Sequence, residues 1–380
     1  MIVLEFTKIR PDALTIWQNP EVRRRLSWYL SVLKERAPPR YKIAKAYVIE
    51  GLDPDEMSSL SLNEMLRIHR NIAPEFRDLL RRLKDDPSRT VDANSRTGGI
   101  SFLEFKIWIA RKLANPCILC ERKCMIDREK RIGACRLDNK AYVHSAFLHL
   151  GEEAPLVPSG TIFYGGCNFT CVYCQNHDVS QEYPRNGEPV NPRELAAIQD
   201  ELAVEGARNI NHVGGEPTPS AHIILESMLH ATHNKPQLWN SNMYMTEALM
   251  EVLLDVIDIW LPDFKYGNNN CAFRLSGITN YWETVTRNLK MASAVGDMII
   301  RHLILPSHLE CCTFKVLDYI ARELPSNNIL VNIMDQYRPM HLVYRYPSRW
   351  RDLSRRPLRR EIIEARNKAS QLGICWRPVS

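Results

Sequence analysis

The sequence predicts a mixed α/β protein: a partial, open (βα)6 barrel of the TIM type, preceded by an α-helical N-terminal appendage and a four-cysteine metal module. Three observations predict it. From Thr161 onward, short β-prone runs alternate with helical patterns, the order of parallel βαβ units. Glycine-rich and polar motifs fall where those strands end, the edge on which such barrels build their sites. Cysteines crowd into two short stretches, one before the first strand and one directly after it. The chain is divided accordingly into residues 1–95 (helical appendage), 96–158 (linker, helix and metal module) and 159–380 (barrel).

Length and composition bound the answer. A chain of 380 residues holds one large domain with an appendage, or two domains. Its 45% hydrophobic and 25% charged residues are ordinary for a soluble globular protein. No run approaches the ~18 uninterrupted apolar residues of a membrane span, and no secretory leader is visible. We therefore expect a cytoplasmic protein with no membrane partner. Seven of the eleven cysteines, gathered this way, point to metal in a reducing compartment, not to a secreted disulfide scaffold. Cys271, Cys311, Cys312 and Cys375 stand apart and read as core or incidental thiols. The net charge of +6 is mild. Arginines thicken between Arg338 and Arg360 but read as a solvated face partly offset by Glu361 and Glu364, leaving nucleic acid or an anionic substrate as an open class.

In chain order, Leu26, Tyr29, Leu30 and Leu33 recur at helical spacing, as do Leu62, Met65 and Leu66, then Leu79, Leu80 and Leu83. Asp53-Pro54-Asp55-Glu56 and Ser61-x2-Glu64 mark helix starts, the second as a capping box. Asp85 to Gly99, with Pro87 and Gly98, reads as a linker, and a helix follows over Phe102–Leu113. The barrel strands are expected at Thr161–Tyr164, Asn209–Val213, Gln237–Trp239, Ile257–Phe264, Met298–Leu305 and Ile329–Met334. Helices are expected at Asn191–Glu205, Ala221–His230, Thr246–Leu254, Tyr281–Ala294, Thr313–Glu323 and Arg359–Leu372.

The first cysteine stretch is Cys117-x2-Cys120-x3-Cys124-x10-Cys135. Four thiolates this close can close a tetrahedral zinc site or bind every iron of an iron–sulfur cluster, and spacing does not choose between them. Either centre would be saturated, hence structural or an electron relay. The second stretch, Cys167-x3-Cys171-x2-Cys174, carries only three thiols, with Tyr173 before the last. A 4Fe–4S cube bound there keeps one iron for a non-protein ligand. Zinc is the other reading, with His177 as a fourth ligand.

This octet, with Gly160 to Gly166 before it and Gln175-Asn176 after it, resembles the radical S-adenosylmethionine (radical SAM) superfamily signature. It is similar to a branch that looks like the pyruvate formate-lyase activating enzyme, mostly without assigned substrates. The same branch resembles the four-cysteine module and the group His149, Glu152 and Glu153, which we read as a loop capping the barrel with surface carboxylates. Further motifs match in order: Gly214-Gly215-Glu216-Pro217, Asn240-Ser241-Asn242, Asp263-Phe264-Lys265, Arg301-His302 and Asp335-Gln336.

The resemblance implies a 4Fe–4S cluster on Cys167, Cys171 and Cys174, with SAM on its open iron. It implies cofactor contacts from Tyr173, Gln175, Gly214, Gly215, Glu216, Asn240, Asn242, Asp263, Lys265, Arg301 and Gln336, with Glu216 receiving the SAM amino group. His302 reads as a packed barrel histidine. The implied reaction is reductive cleavage of SAM to a 5′-deoxyadenosyl radical, which takes hydrogen from an unassigned substrate, a glycyl-radical enzyme being one class. No ferredoxin-like insert follows the cysteine loop, as it does in many dedicated activating enzymes. Implied partners are a one-electron reductant such as ferredoxin or flavodoxin and a protein substrate. The rival class is an iron–sulfur electron-transfer or structural metal-binding protein, against which the Gly214–Pro217 motif argues.

Overall fold

The computed structural model of the protein describes residues 8–85 and 99–380. Most of the expected linker, including Pro87 and Gly98, lies outside the described residues. The N-terminal helices include α1 (Ser27–Leu33), α2 (Arg40–Ala46), α3 (Leu62–Asp85) and α4 (Phe102–Ala114). The start of α3 follows the predicted box: Glu64 N–H donates to Ser61 Oγ at 3.3 Å, and Ser61 N–H to Glu64 Oε2 at 2.8 Å. Asp53 instead caps only a short 3-10 turn, Pro54–Glu56.

Eight strands form the main sheet: β1 (Ala141–His149), β2 (Ser159–Tyr164), β3 (Glu188–Val190), β4 (Ile210–Gly214), β5 (Gln237–Ser241), β6 (Ile259–Pro262), β7 (Asp297–Leu303) and β8 (Ile329–Met334). Their order is β8-β7-β6-β5-β4-β2-β1-β3. The run from β2 to β8 is parallel, and it comprises the six expected strands with ends moved by one or two residues. Between them come α5 (Pro192–Glu205), α6 (Ala221–His230), α7 (Glu247–Leu253), α8 (Asn269–Ser276), α9 (Tyr281–Ser293) and α10 (Phe314–Glu323), with α11 (Arg359–Gln371) last. Every residue of β5 and β6 is buried, as parallel strands covered on both faces require. The unexpected elements include β1, β3 and α8. β1 and β3 extend the sheet antiparallel past β2, and α8 fills the connection after β6.

The N-terminal helices sit against the N-terminal ends of the barrel strands. Asp258, just before β6, accepts hydrogen bonds from Trp28 Nε1 (2.8 Å), Arg40 N–H (2.9 Å) and Gln237 N–H (2.8 Å). Asp297, at the start of β7, accepts from Tyr29 N–H at 2.8 Å. One hydrophobic core runs from Trp28 and Tyr41 through α4 into the barrel helices. Across the same seam lies a buried ionic set: Lys106 Nζ is 2.7 Å from Asp255 Oδ2 and 2.6 Å from His69 Nε2, and Arg77 Nε is 2.7 Å from Asp255 Oδ1. The Lys106–Asp255 pair at the centre of this seam is fully buried.

Candidate active site

The three-cysteine loop leaves β2 at the C-terminal edge of the sheet, through Gly165 and Gly166. Gly166 has φ +75°, and a Cβ there would lie 2.7 Å from Cys135 O, so only glycine lets the loop pass the four-cysteine module. Each thiol has a polar neighbour: Phe169 N–H donates to Cys167 Sγ (3.3 Å), Ser276 Oγ is 3.0 Å from Cys171 Sγ, and Ser180 Oγ is 3.4 Å from Cys174 Sγ. Burial pushes the Cys167 thiol well above its ordinary value and Cys171 up to about 11, the latter against the nearby Lys265 charge. The loop backbone is tied to α8, with Thr170 N–H on Ser276 O (3.0 Å) and Val172 N–H on Leu275 O (2.9 Å). Tyr173 turns inward, its hydroxyl 2.7 Å from that of Tyr266, which in turn is 2.6 Å from Ser276 Oγ.

Next along the edge, β4 ends in the turn Gly214–Pro217. A Cβ at Gly215 would fall 2.0 Å from Gly166 O, so this turn and the cysteine loop touch backbone to backbone. Glu216 is only 2% exposed. Its Oε1 accepts from Thr218 Oγ1 (2.5 Å), Ser241 Oγ (2.6 Å) and Thr218 N–H (3.3 Å), and its Oε2 from Asn242 N–H (2.9 Å). Burial raises its pKa, opposed by these four bonds. With one donor, Oε2 retains acceptor capacity for an ammonium group. Asn242 is the joint between the two motifs: its Nδ2 donates to Asn168 Oδ1 at 2.7 Å, beside Cys167.

Inside the barrel, Arg301 on β7 holds a charged set together. Its Nε donates to Asp263 Oδ1 at 2.8 Å, its Nη1 lies 3.4 Å from Glu152 Oε2, and its Nη2 donates to Asn240 Oδ1. Asp263 also accepts from Lys265 Nζ at 2.7 Å. Burial raises the Asp263 carboxyl, but Arg301 and Lys265 outweigh it and hold the group below the usual range. Glu152 and Glu153 are 8% and 6% exposed, which corrects the expectation of surface carboxylates. The loop before β2 carries them into the barrel, where Glu152 meets Asn211 (3.0 Å) and Glu153 meets Asn332 (2.7 Å). His149 Nδ1 lies 3.4 Å from Glu152 Oε1. Buried atoms here without a hydrogen-bond partner among the described residues include Asn240 Nδ2, Asn168 Nδ2, Glu153 Oε2 and Asn211 Oδ1. Buried polar groups are normally satisfied, so these mark places for a ligand.

The structure therefore brings Cys167, Cys171, Cys174, Gly214, Gly215, Glu216, Asn240, Asn242, Asp263, Lys265 and Arg301 to one end of the barrel. Gln175 and Gln336 are exposed and lie outside this hydrogen-bonded centre. His302 is a packed histidine, its ring between Phe264 O (2.7 Å) and Thr313 Oγ1 (2.9 Å).

The four-cysteine module packs over the same edge. Thr246 N–H donates to Leu119 O (3.2 Å), Arg122 Nε to Asn168 O (2.9 Å), and the fully buried Arg128 Nη1 to Pro219 O (2.7 Å). Burial drives the Cys120 thiol up to about 12. Four soft donors on one fold suit zinc or a cluster, and the three of the second loop suit a cluster with one open iron. Sequence reasoning missed a third group. Cys271, Cys311 and Cys312, expected to be incidental, converge with His308, their ligand atoms all within 4.8 Å of one another, a set that could hold a metal ion.

The sequence model of the radical SAM superfamily matches residues 161–320, from β2 into α10. These residues form a radical SAM superfamily domain. The chain belongs to one family with the uncharacterized protein MJ0674 of Methanocaldococcus jannaschii, 39% identical over 356 residues that span 92% of this chain and 98% of that one. Among solved structures, a radical SAM methyltransferase from Sphaerobacter thermophilus aligns over 86% of this chain and 94% of its own at 12% identity, with a TM-score of 0.44. SuiB of Streptococcus suis bound to S-adenosylmethionine aligns over 55% of this chain and 47% of its own at 13% identity, TM-score 0.39. These two likenesses are too loose to carry a functional argument. Among the described residues, no helix is long and apolar enough to cross a membrane.

Proposed function

We propose that the protein binds a 4Fe–4S cluster through Cys167, Cys171 and Cys174, and SAM beside it, to abstract hydrogen from a substrate held at the barrel mouth. The observation that carries this reading is the joint at Asn242, which fixes the cysteine loop and Glu216 as one unit. When bound, cluster and cofactor together supply one-electron cleavage of the sulfonium and hydrogen-atom abstraction. The chain's own residues orient the reaction. Glu216 Oε2 receives an ammonium, Asn240 Nδ2 offers a donor, and the Asp263–Lys265–Arg301 set holds fixed charge at the mouth. The four-cysteine module braces the loop through Arg122 and Cys135, as zinc or a second cluster.

A cleft of about 480 Å3 lies behind Thr170 and Val172, with Arg136, Arg274 and Arg349 on its walls. It suits an acidic one-electron donor such as ferredoxin or flavodoxin. A glycine Cα–H on a protein partner is the substrate class that the branch resemblance suggests.

The test is anaerobic reconstitution. Wild type should carry iron and sulfide beyond any held by the Cys117 module, and its reduced-cluster EPR signal should change when SAM is added. Replacing Cys167, Cys171 and Cys174 by Ala should abolish that signal and leave the module's metal in place. Zinc as the sole metal of the wild type contradicts the reading.

A further inference from the structure

The third thiol group is built unlike the other two. Cys271 lies in the first turn of α8, while His308 precedes, and Cys311 and Cys312 lie in, the π-helical turn Leu309–Thr313 in the connection after β7. Cys271 Sγ is 3.8 Å from Cys311 Sγ and 3.7 Å from His308 Nδ1. Cys311 Sγ is 3.9 Å from Cys312 Sγ and 3.2 Å from His308 Nδ1, and Cys312 Sγ is 3.9 Å from the same nitrogen. Tetrahedral zinc with bonds of ~2.3 Å to sulfur and ~2.0 Å to nitrogen places its ligands about 3.8 Å apart for sulfur pairs and about 3.5 Å for sulfur and nitrogen. The observed separations lie close to that pattern. In an iron–sulfur cube each thiolate serves a different iron, so its ligands need not converge on one point.

The surroundings match a ligand set. His308 turns Nδ1 to the sulfurs and Nε2 to Asp352 Oδ2 at 3.0 Å, the carboxylate–histidine arrangement that fixes a metal-binding ring. Asp352 is itself held by Arg274. Asn268 donates from Nδ2 to Cys271 Sγ (3.4 Å) and Cys311 O (2.7 Å), while its Oδ1 caps α8 at Cys271 N–H (2.8 Å). Gly267 is required for the close approach, since a Cβ there would lie 2.7 Å from Cys311 O.

We propose that Cys271, His308, Cys311 and Cys312 bind one zinc ion in a closed, structural site that clamps α8 to the loop after β7. Four protein ligands leave no open position for catalysis. The clamp acts on the active site through α8, whose far end holds Thr170, Cys171 and Val172 through Leu275 and Ser276. The site stands on its own geometry and does not depend on the chemistry of the three-cysteine loop.

The experiment is metal analysis of the full-length protein purified anaerobically. Wild type should hold one zinc per chain that is lost in the Cys311→Ser/Cys312→Ser double variant, with iron unchanged. Zinc-edge X-ray absorption on a variant with Cys117, Cys120, Cys124 and Cys135 changed to Ala should resolve three sulfurs at ~2.3 Å and one nitrogen at ~2.0 Å. Asp352→Asn, which keeps all four ligands, should weaken zinc retention against a chelator by roughly 10–100-fold. Wild-type protein without zinc overturns the proposal, whether the site then holds iron or a disulfide. So does zinc retained in full by the double variant.

Discussion

Charge is buried at both ends of this barrel, and the two ends handle it differently. At the N-terminal end, Lys106 and Asp255 are both 0% exposed by side chain and pair directly, with Arg77 beside them. At the C-terminal end, Arg301, Asp263 and Lys265 make equally short contacts but keep 16%, 21% and 23% of their side chains exposed. Beside Arg301 lie the partnerless Asn240 Nδ2 and Glu153 Oε2. The same chemistry, with its central Lys106–Asp255 pair fully buried, holds the fold together; at strand ends, where every member keeps some exposure, it is available to a ligand.

The largest effect is expected where the sealed set is broken. Lys106→Met leaves Asp255 with Arg77 and His69 only and should cost about 3–5 kcal/mol in denaturant unfolding, with SAM affinity of the folded fraction unchanged. A variant as stable as wild type would show that the lower set does not seal the helices to the barrel.

The same set gives a pH signature. Burial raises the Asp255 carboxyl, but Lys106 and Arg77 outweigh it and bring it down to about 2, from an ordinary 3.8. A depressed acid contributes stability that is present above its unfolded value and is lost as pH falls through the folded one. Melting temperature should therefore drop between about pH 4 and pH 2 more steeply in wild type than in Asp255→Asn. Parallel curves for the two proteins would remove Asp255 as the cause.

At the open end, changes should be felt in ligand binding before stability. Glu216→Ala should weaken SAM binding by about 1.5–3 kcal/mol, the worth of a hydrogen bond to a charged group, as measured by calorimetry on the cluster-loaded protein. Smallest of all, Arg301→Lys keeps the charge but loses the fork that spans Asp263, Glu152 and Asn240. It should lower SAM affinity by about 1 kcal/mol and move the melting temperature less than Lys106→Met does. A greater loss of stability than in Lys106→Met would make the upper set structural as well.

What could be read from the sequence was mostly local. The six parallel strands and their helices announced themselves through short β-prone runs alternating with helical patterns, and the cysteine loop and Gly214–Pro217 through contiguous motifs. β3 escaped because it is three residues long with a proline in its middle, and β1 because its burial does not alternate. Glu152 and Glu153 resemble solvent-facing carboxylates until the loop before β2 folds into the barrel and sets them against Arg301, Asn211 and Asn332. Cys271 and His308 are distant in sequence and join only because β7 returns beside β6. No residue type or spacing reveals such a meeting.

The central claim is that the three-cysteine loop and the Glu216 turn form one cofactor site, and product analysis tests it most directly. Cluster-replete protein is incubated anaerobically with SAM and a strong one-electron reductant, and 5′-deoxyadenosine and methionine are separated by chromatography. We predict both products in slow, uncoupled turnover from wild type, and none from Cys171→Ala. A cluster-replete wild type that fails to bind SAM, and so forms neither product, would contradict the account.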